Sequence, residues 1–213
     1  MHEEVMSNTH FNLRFDLQSY WHAGSGRSGG ALLDAVVHKN AAGLPFLPGR
    51  TVKGLLRDAV YRAEQWGHIP PKTTHCFFGS EALEEKRAIF ETKAGALGVS
   101  DAVLPADITA WLSHSATNPQ LRQVLFKQLS ASAIDPATGS TKDKSLRTLE
   151  VTIPLPLTAR LEVLNPASLE NRDWGQGRQH WIDCLKPCLR LIRAVGASRS
   201  RGLGRVTVTL EEK

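Results

Sequence analysis

Three titratable residues, His22, Asp34 and His38, lie around a short stretch that holds four glycines, Gly24, Gly26, Gly29 and Gly30. A carboxylate such as Asp34 can bind a divalent cation or help orient a hydroxyl against a phosphate. Alone it cannot act as general acid, general base and leaving-group stabiliser, so chemistry at Asp34 would draw on the substrate, a cation and basic neighbours. A turn-capping or surface role is the alternative for the same side chain. His22 precedes Gly24 and His38 has strand spacing from Asp34, so either imidazole is an acid-base candidate only where geometry agrees.

Two basic, glycine-bearing segments supply the anion-binding side of that chemistry. Gly196 to Arg205 reads Gly-Ala-Ser-Arg-Ser-Arg-Gly-Leu-Gly-Arg. Glycines let backbone amides approach a phosphate and arginines offer planar, bidentate donors to it, which makes Arg199, Ser200, Arg201 and Gly202 candidate nucleic-acid phosphate contacts. Such contacts position a nucleic acid without reading its sequence. Leu47 to Arg57 reads Leu-Pro-Gly-Arg-Thr-Val-Lys-Gly-Leu-Leu-Arg. It is a turn opening a helix whose first amides can bind an anion, with Lys53 and Arg57 four residues apart on one face. Arg50, Thr51, Lys53 and Arg57 are its candidates, and His22, Gly24, Ser25, Gly26 and Arg27 are those of the first loop. A solvated basic turn and an ordinary capped surface helix are the plainer readings of the two segments.

Other reactive side chains give weaker signals. His75-Cys76 and Cys184-x-x-x-Cys188 offer four soft ligands, but they lie over a hundred residues apart and Pro187 sits inside the cysteine pair. Buried free thiols are therefore expected rather than a structural zinc, and no metal site is assigned to them. Trp66 reads as core or subunit interface. Trp174 and Trp181 flank a Gly/Arg patch where they could stack on a base, but ordinary domain packing is the expected role of each.

The elements that must hold these residues can be read from pattern. Asn12 to Tyr20 alternates apolar and polar residues, with Leu13, Phe15 and Leu17 on one side, as a half-buried first strand does. Leu32 to His38 is a second extended candidate. Val52, Leu55, Leu56, Ala59 and Val60 follow helical spacing after a possible Thr51 N-cap. Gly54 inside that helix costs about 1 kcal/mol relative to Ala, which suggests close approach of backbone or ligand. Glu81 to Ile89 is a short helix or loop, Ala102 to Leu104 a strand fragment, and Asn118 to Gln128 a surface helix. A polar, turn-rich excursion from Ile134 to Ser145 precedes strands at Leu149 to Ile153 and Leu157 to Val163, as a projecting hairpin would. Trp181 to Val195 reads as a helix kinked or delayed by Pro187, and Arg205 to Leu210 as a closing strand. Extended segments interleaved with few helices indicate an α+β domain.

A chain of 213 residues can fold as one domain without disulfides or metal. Its net charge of +5 favours an anionic partner. The most basic window, Lys186 to Arg205, holds six Lys or Arg and no acidic residue. The acidic, polar N-terminus lacks a signal-peptide layout, no membrane-spanning apolar run is present, and three cysteines suit a reducing compartment; a cytoplasmic protein is expected.

The glycine-rich loop after the first strand, the run Gly43-Leu-Pro-Phe-Leu-Pro-Gly-Arg-Thr-Val-Lys-Gly54 and the closing Ser200-Arg-Gly-Leu-Gly204 resemble the RAMP superfamily of CRISPR proteins across nearly the whole chain. Most similar is the guide-RNA-binding backbone subunit of type III or type III-derived effectors. That resemblance implies a single domain over 1–213, with a modified ferredoxin-like or RRM-like palm, inserted lobes and a thumb hairpin, here about 134–153. It implies Lys142, Lys144 and Arg147 as thumb phosphate contacts, with Leu146 or Leu149 as an apolar wedge between bases, since unstacking a base costs only about a few kcal/mol. It also implies Asp34 as the target-cleaving aspartate, with Mg²⁺ or Mn²⁺. The implied partners are CRISPR guide RNA, complementary target RNA, further copies of the chain and other effector subunits. The flanking Leu33 and Ala35 diverge from the commonest family pattern. A cleavage-inactive scaffold and a guide-processing endoribonuclease using His22 or His38 are the alternatives. An RRM-like protein outside CRISPR would instead show stacking aromatics on central strands.

Overall fold

The computed structural model describes residues 10–30, 33–80, 93–113, 119–170, 172–175 and 180–212. Strand β1 (His10–Leu17) turns Phe11, Leu13, Phe15 and Leu17 inward at every second position. Helix α1 (Gly49–Gln65) answers with a buried stripe of Val52, Leu56, Ala59, Val60 and Ala63. α2 (Thr73–Phe78) and the short β2 (Leu97–Val99) follow. Next come α3 (Ala106–Ser113), α4 (Pro119–Val124) and a hairpin of β3 (Phe126–Ala131) with β4 (Arg147–Thr152). β5 (Pro156–Val163), the single-turn α5 (Ala167–Glu170), α6 (Trp181–Leu189) and β6 (Val206–Glu212) complete the chain.

The main sheet has the order β2-β5-β1-β6, with every neighbouring pair antiparallel. Counting these four strands as first to fourth in chain order gives 2-3-1-4, the order of a βαββαβ ferredoxin-like sheet. α3, α4 and the β3–β4 hairpin are inserted between its second and third strands. One face of the sheet carries the core, where Trp181 meets Phe11 edge-on at 5.4 Å and Phe77 packs on Trp174 and Trp181. The opposite face presents Asn12, Arg14, Asp16, Thr158, Arg160 and Glu162, with ion pairs Arg14–Asp16 and Arg160–Glu162. It offers no Phe, Tyr or Trp stacking platform of the RRM kind among the described residues of β1, β5 and β6.

Several sequence expectations change. Phe126 to Ala131 is a strand, not the end of a surface helix; neither of its faces is buried, so no period-two pattern announces it. The hairpin therefore begins at Phe126, earlier than the expected 134. Thr51 does not cap α1: the helix starts one turn sooner behind Pro48, and the Asp101 carboxylate accepts the Gly49 N–H at 2.6 Å in place of a local cap. Trp66 is 57% exposed and so is not a core residue, while Trp174 and Trp181 pack in the core as expected of them. Pro187 lies within α6, which ends two residues later. Leu32 and the Glu81 to Ile89 segment lie outside the described residues.

Candidate nucleic-acid interface

Three segments far apart in sequence meet at one cleft of about 530 Å³: His22 to Gly24, the start of α1, and the last glycine loop. His22, His38, Thr51, Asp58, Gly196 and Arg199 are among its lining residues. The closing loop reaches the first one because Gly196 and Gly204 have left-handed φ values of 78° and 72°. A Cβ on Gly196 would stand 2.2 Å from the His22 carbonyl oxygen, and one on Gly204 1.9 Å from that of Val195. The Ala197 N–H donates to the His22 carbonyl and the Gly204 N–H to Tyr20. These glycines serve close backbone-to-backbone approach inside the protein. Gly54 does the opposite: open space lies where its Cβ would be, and it lines the cleft.

The basic candidates divide by what already holds them. Arg57 donates to the Gly79 carbonyl at 3.2 Å, which ties α1 to the end of α2. The Gly49 amide is taken by Asp101, and the Thr51 and Val52 amides bond Pro48, so little of the α1 N-terminus is open to an anion. Lys53 is half-buried and Arg50 exposed. In the closing loop Arg199, Ser200, Arg201 and Gly202 are exposed; Arg199 lines the cleft and, with Ser200, an adjoining hollow. His22 is 3% exposed, and its Nδ1 lies 2.6 Å from the Glu150 carbonyl oxygen, to which it can only donate. It shapes the cleft wall from beneath Gly24. His38 is half-buried beside Phe46.

Residues 23–29 and 33–38 fold onto each other: Ser25 N–H donates to Val36, Val36 N–H to Arg27, Gly29 N–H to Leu33 and His38 N–H to Ala23. The Ser25 hydroxyl also donates to Val36 and accepts from the Arg27 N–H, leaving Gly26 and Arg27 exposed at the turn. The outer arm, residues 33–38, runs along β4 through an isolated bridge. Ala35 bridges Leu149 in parallel, Asp34 N–H donates to the Thr148 carbonyl at 2.9 Å, and Thr148 N–H donates to Asp34 Oδ2 at 2.6 Å. Asp34 is thus exposed at the base of the thumb, one carboxylate oxygen committed to backbone. Farther out, Lys142, Lys144, Leu146 and Arg147 are exposed, Leu146 at 70%, as is Ile134 at 69%. Leu149 is half-buried opposite Leu129, at the base rather than the tip.

The sequence matches the RAMP superfamily over residues 14–207. This chain belongs to the RAMP superfamily. Its fold is similar to that of a chain in the cryo-EM structure of a Type III-B Cmr-β complex bound to cognate target RNA, with TM-score 0.64, 11% identity, and 94% of this chain and 96% of that one covered. The apo state of a Type III-B Cmr-β complex gives TM-score 0.62 at 10% identity and the same coverage. At such identity the likeness is one of fold. No curated protein matches this chain.

In this RAMP domain no three His, Cys, Asp or Glu side chains gather into a metal site among the described residues. Cys188 Sγ bonds the Cys184 carbonyl and Cys76 Sγ the Ser168 carbonyl. Burial pushes the Cys76 thiol up, against the opposing pull of Arg172. No helix among the described residues is long and apolar enough to cross a membrane. Sequence reasoning passed over Glu150, Lys39 and Asp101. The available sign was a lone charge between apolar neighbours, as in Leu149-Glu150-Val151.

Proposed function

We propose that this RAMP chain is a guide-RNA-binding backbone subunit of a type III CRISPR effector, and that Asp34 serves metal-dependent cleavage of target RNA held against the guide. The convergence of the two glycine-bearing loops and the start of α1 on one cleft carries this reading, together with superfamily membership and the Cmr-β fold likeness. Arg199, Arg201, Arg27 and Arg50 offer exposed cations for phosphates. Lys142, Lys144 and Arg147 do the same on the thumb, with Leu146 as the exposed wedge. Asp34 is the residue that would hold Mg²⁺ or Mn²⁺. One free carboxylate oxygen suits a cation whose remaining ligands are RNA phosphates and water, not an all-protein cage. When bound, such a cation supplies charge stabilisation at a phosphate. The chain's own part is to hold Asp34 at a fixed place beside the thumb and to grip the RNA backbone around it.

A cleavage-inactive scaffold is the second reading, favoured by the bond from Thr148 N–H to Asp34 Oδ2, which gives the carboxylate a structural task of its own. Guide processing has less support, because His22 is buried with Nδ1 engaged. The deciding experiment supplies the guide-bound assembly with a complementary end-labelled RNA and Mg²⁺ or Mn²⁺, comparing wild type with Asp34→Ala. Regularly spaced products lost in the variant, with RNA binding retained, support cleavage at Asp34. An intact target in both supports the scaffold.

A further inference from the structure

Among the described residues Glu150 is the only acidic side chain that the fold buries, at 7% exposed. Buried carboxylates are retained where donors converge on them, and here two donors of one segment do, the Val37 N–H and Lys39 Nζ. Glu150 Oε2 accepts the Val37 N–H at 3.0 Å, and Oε1 accepts Lys39 Nζ at 2.7 Å. The Glu150 N–H donates to Ala35, and its carbonyl faces His22 Nδ1. Lys39 Nζ also lies 4.0 Å from the Phe126 ring centre, so this one ammonium touches both strands of the thumb hairpin. Residues 34–39 are consequently laid along β4 and pinned at both ends, by the Asp34 carboxylate on Thr148 and by the Glu150 carboxylate on Val37 and Lys39.

We propose that Glu150 is a positioning residue that makes the Asp34 segment and the thumb hairpin one mechanical unit, so that thumb placement on RNA sets the place of Asp34. The inference rests on the reading of Asp34 as the cleaving residue. Val37 is itself buried, so removing the Glu150 carboxylate leaves its N–H without a partner and without water. The segment's cheapest response is to lift from β4, taking Asp34 out of register with the hairpin. The palm has no part in these bonds and its core is left as it is.

The test uses the full chain in its guide-bound assembly and reads three quantities: amide exchange across residues 33–39, affinity for guide and target, and cleavage rate at saturating target. Glu150→Ala is expected to speed exchange at the Asp34 and Val37 amides while β1 and β5 keep theirs. Because a misplacement of about 1 Å can cost about 100-fold in rate, the saturating cleavage rate should fall by about 10- to 100-fold, with both affinities unchanged. Glu150→Gln keeps an acceptor for Val37 and should restore most of the exchange protection and rate. Lys39→Met, which removes the ion pair alone, should show a smaller loss and carries the test if Glu150→Ala does not fold. A generally destabilising change would instead weaken RNA binding and speed exchange in the palm, and that result overturns the proposal. So does wild-type cleavage by Glu150→Ala while Asp34→Ala is inactive. If Asp34→Ala cleaves normally, the catalytic reading is the one that falls, and exchange at Asp34 and Val37 alone upholds or overturns the Glu150 lock.

Discussion

The palm and the thumb of this RAMP chain are held by different forces. The palm turns one strand face onto a helix stripe, and Leu13, Phe15, Val52 and Leu56 are wholly buried there. The thumb has no such core: β3 buries none of its residues, and burial in β4 is confined to its last three, Glu150, Val151 and Thr152. Its attachment is polar, through Glu150, Lys39, Asp34 and the Trp21 indole, which donates to the Ile153 carbonyl. Apolar burial is non-directional and tolerates no gap, so it gives a stiff platform. Hydrogen bonds at the foot of an otherwise exposed hairpin fix its direction while leaving the outer part free to adapt to a ligand.

The sharpest way to break this contrast is in the palm. Phe15→Ala should cost about 3–5 kcal/mol, seen as a lower denaturation midpoint for the whole domain; a local change confined to one strand would contradict a single palm core. Gly204→Ala comes next, because a side chain at positive φ is strained and this one would strike the Val195 carbonyl. A loss of about 1–3 kcal/mol is expected, with the cleft wall displaced and guide affinity reduced. Asp101→Ala removes the carboxylate that caps α1 from a distance and should cost about 1 kcal/mol, measurable by thermal unfolding.

A pH titration sharpens the comparison further. Burial acts to raise the Glu64 carboxyl, yet hydrogen bonds from Thr74 and Lys72 outweigh it and hold the carboxyl below its ordinary value of 4.5. A carboxyl lowered by folding stabilises the native state above that ordinary value, and the contribution is lost as pH falls through the depressed one. Unfolding of Glu64→Gln should therefore depend less on pH below about 4.5 than that of wild type. The smallest effect on stability belongs to the thumb: Leu146→Ser, at an exposed site, should change it by less than about 0.5 kcal/mol. Its consequence should appear only in RNA binding by the assembly, and a large stability loss would mean that the hairpin has a core after all.

Legibility in the sequence followed the same division. β1, α1, β5 and β6 were readable because each buries one face and so carries a two-residue or helical period, and β4 because its Leu149 to Ile153 run follows a polar, turn-rich stretch. β2 went unread because it is three residues long with Gly98 at its centre, and β3 because exposure on both sides leaves no period. Gly196, Gly204, Arg199 and Asp34 were singled out by type and motif, but their partners were not. The terminal glycines were expected to admit a phosphate, and two of them instead admit the backbone of Tyr20, His22 and Val195.

By itself the sequence determined an α+β domain, basic character, three glycine-bearing segments and membership of a superfamily, since these depend on composition, local period and motif. Only the tertiary structure decided which of those groups remain open to a ligand. Asp101 takes an amide of α1, Gly79 takes Arg57, Glu150 takes Val37 and Lys39, and each pairing joins residues 22 to 113 positions apart. Donors and acceptors are satisfied in space rather than along the chain, so the chain order carries no local sign of them.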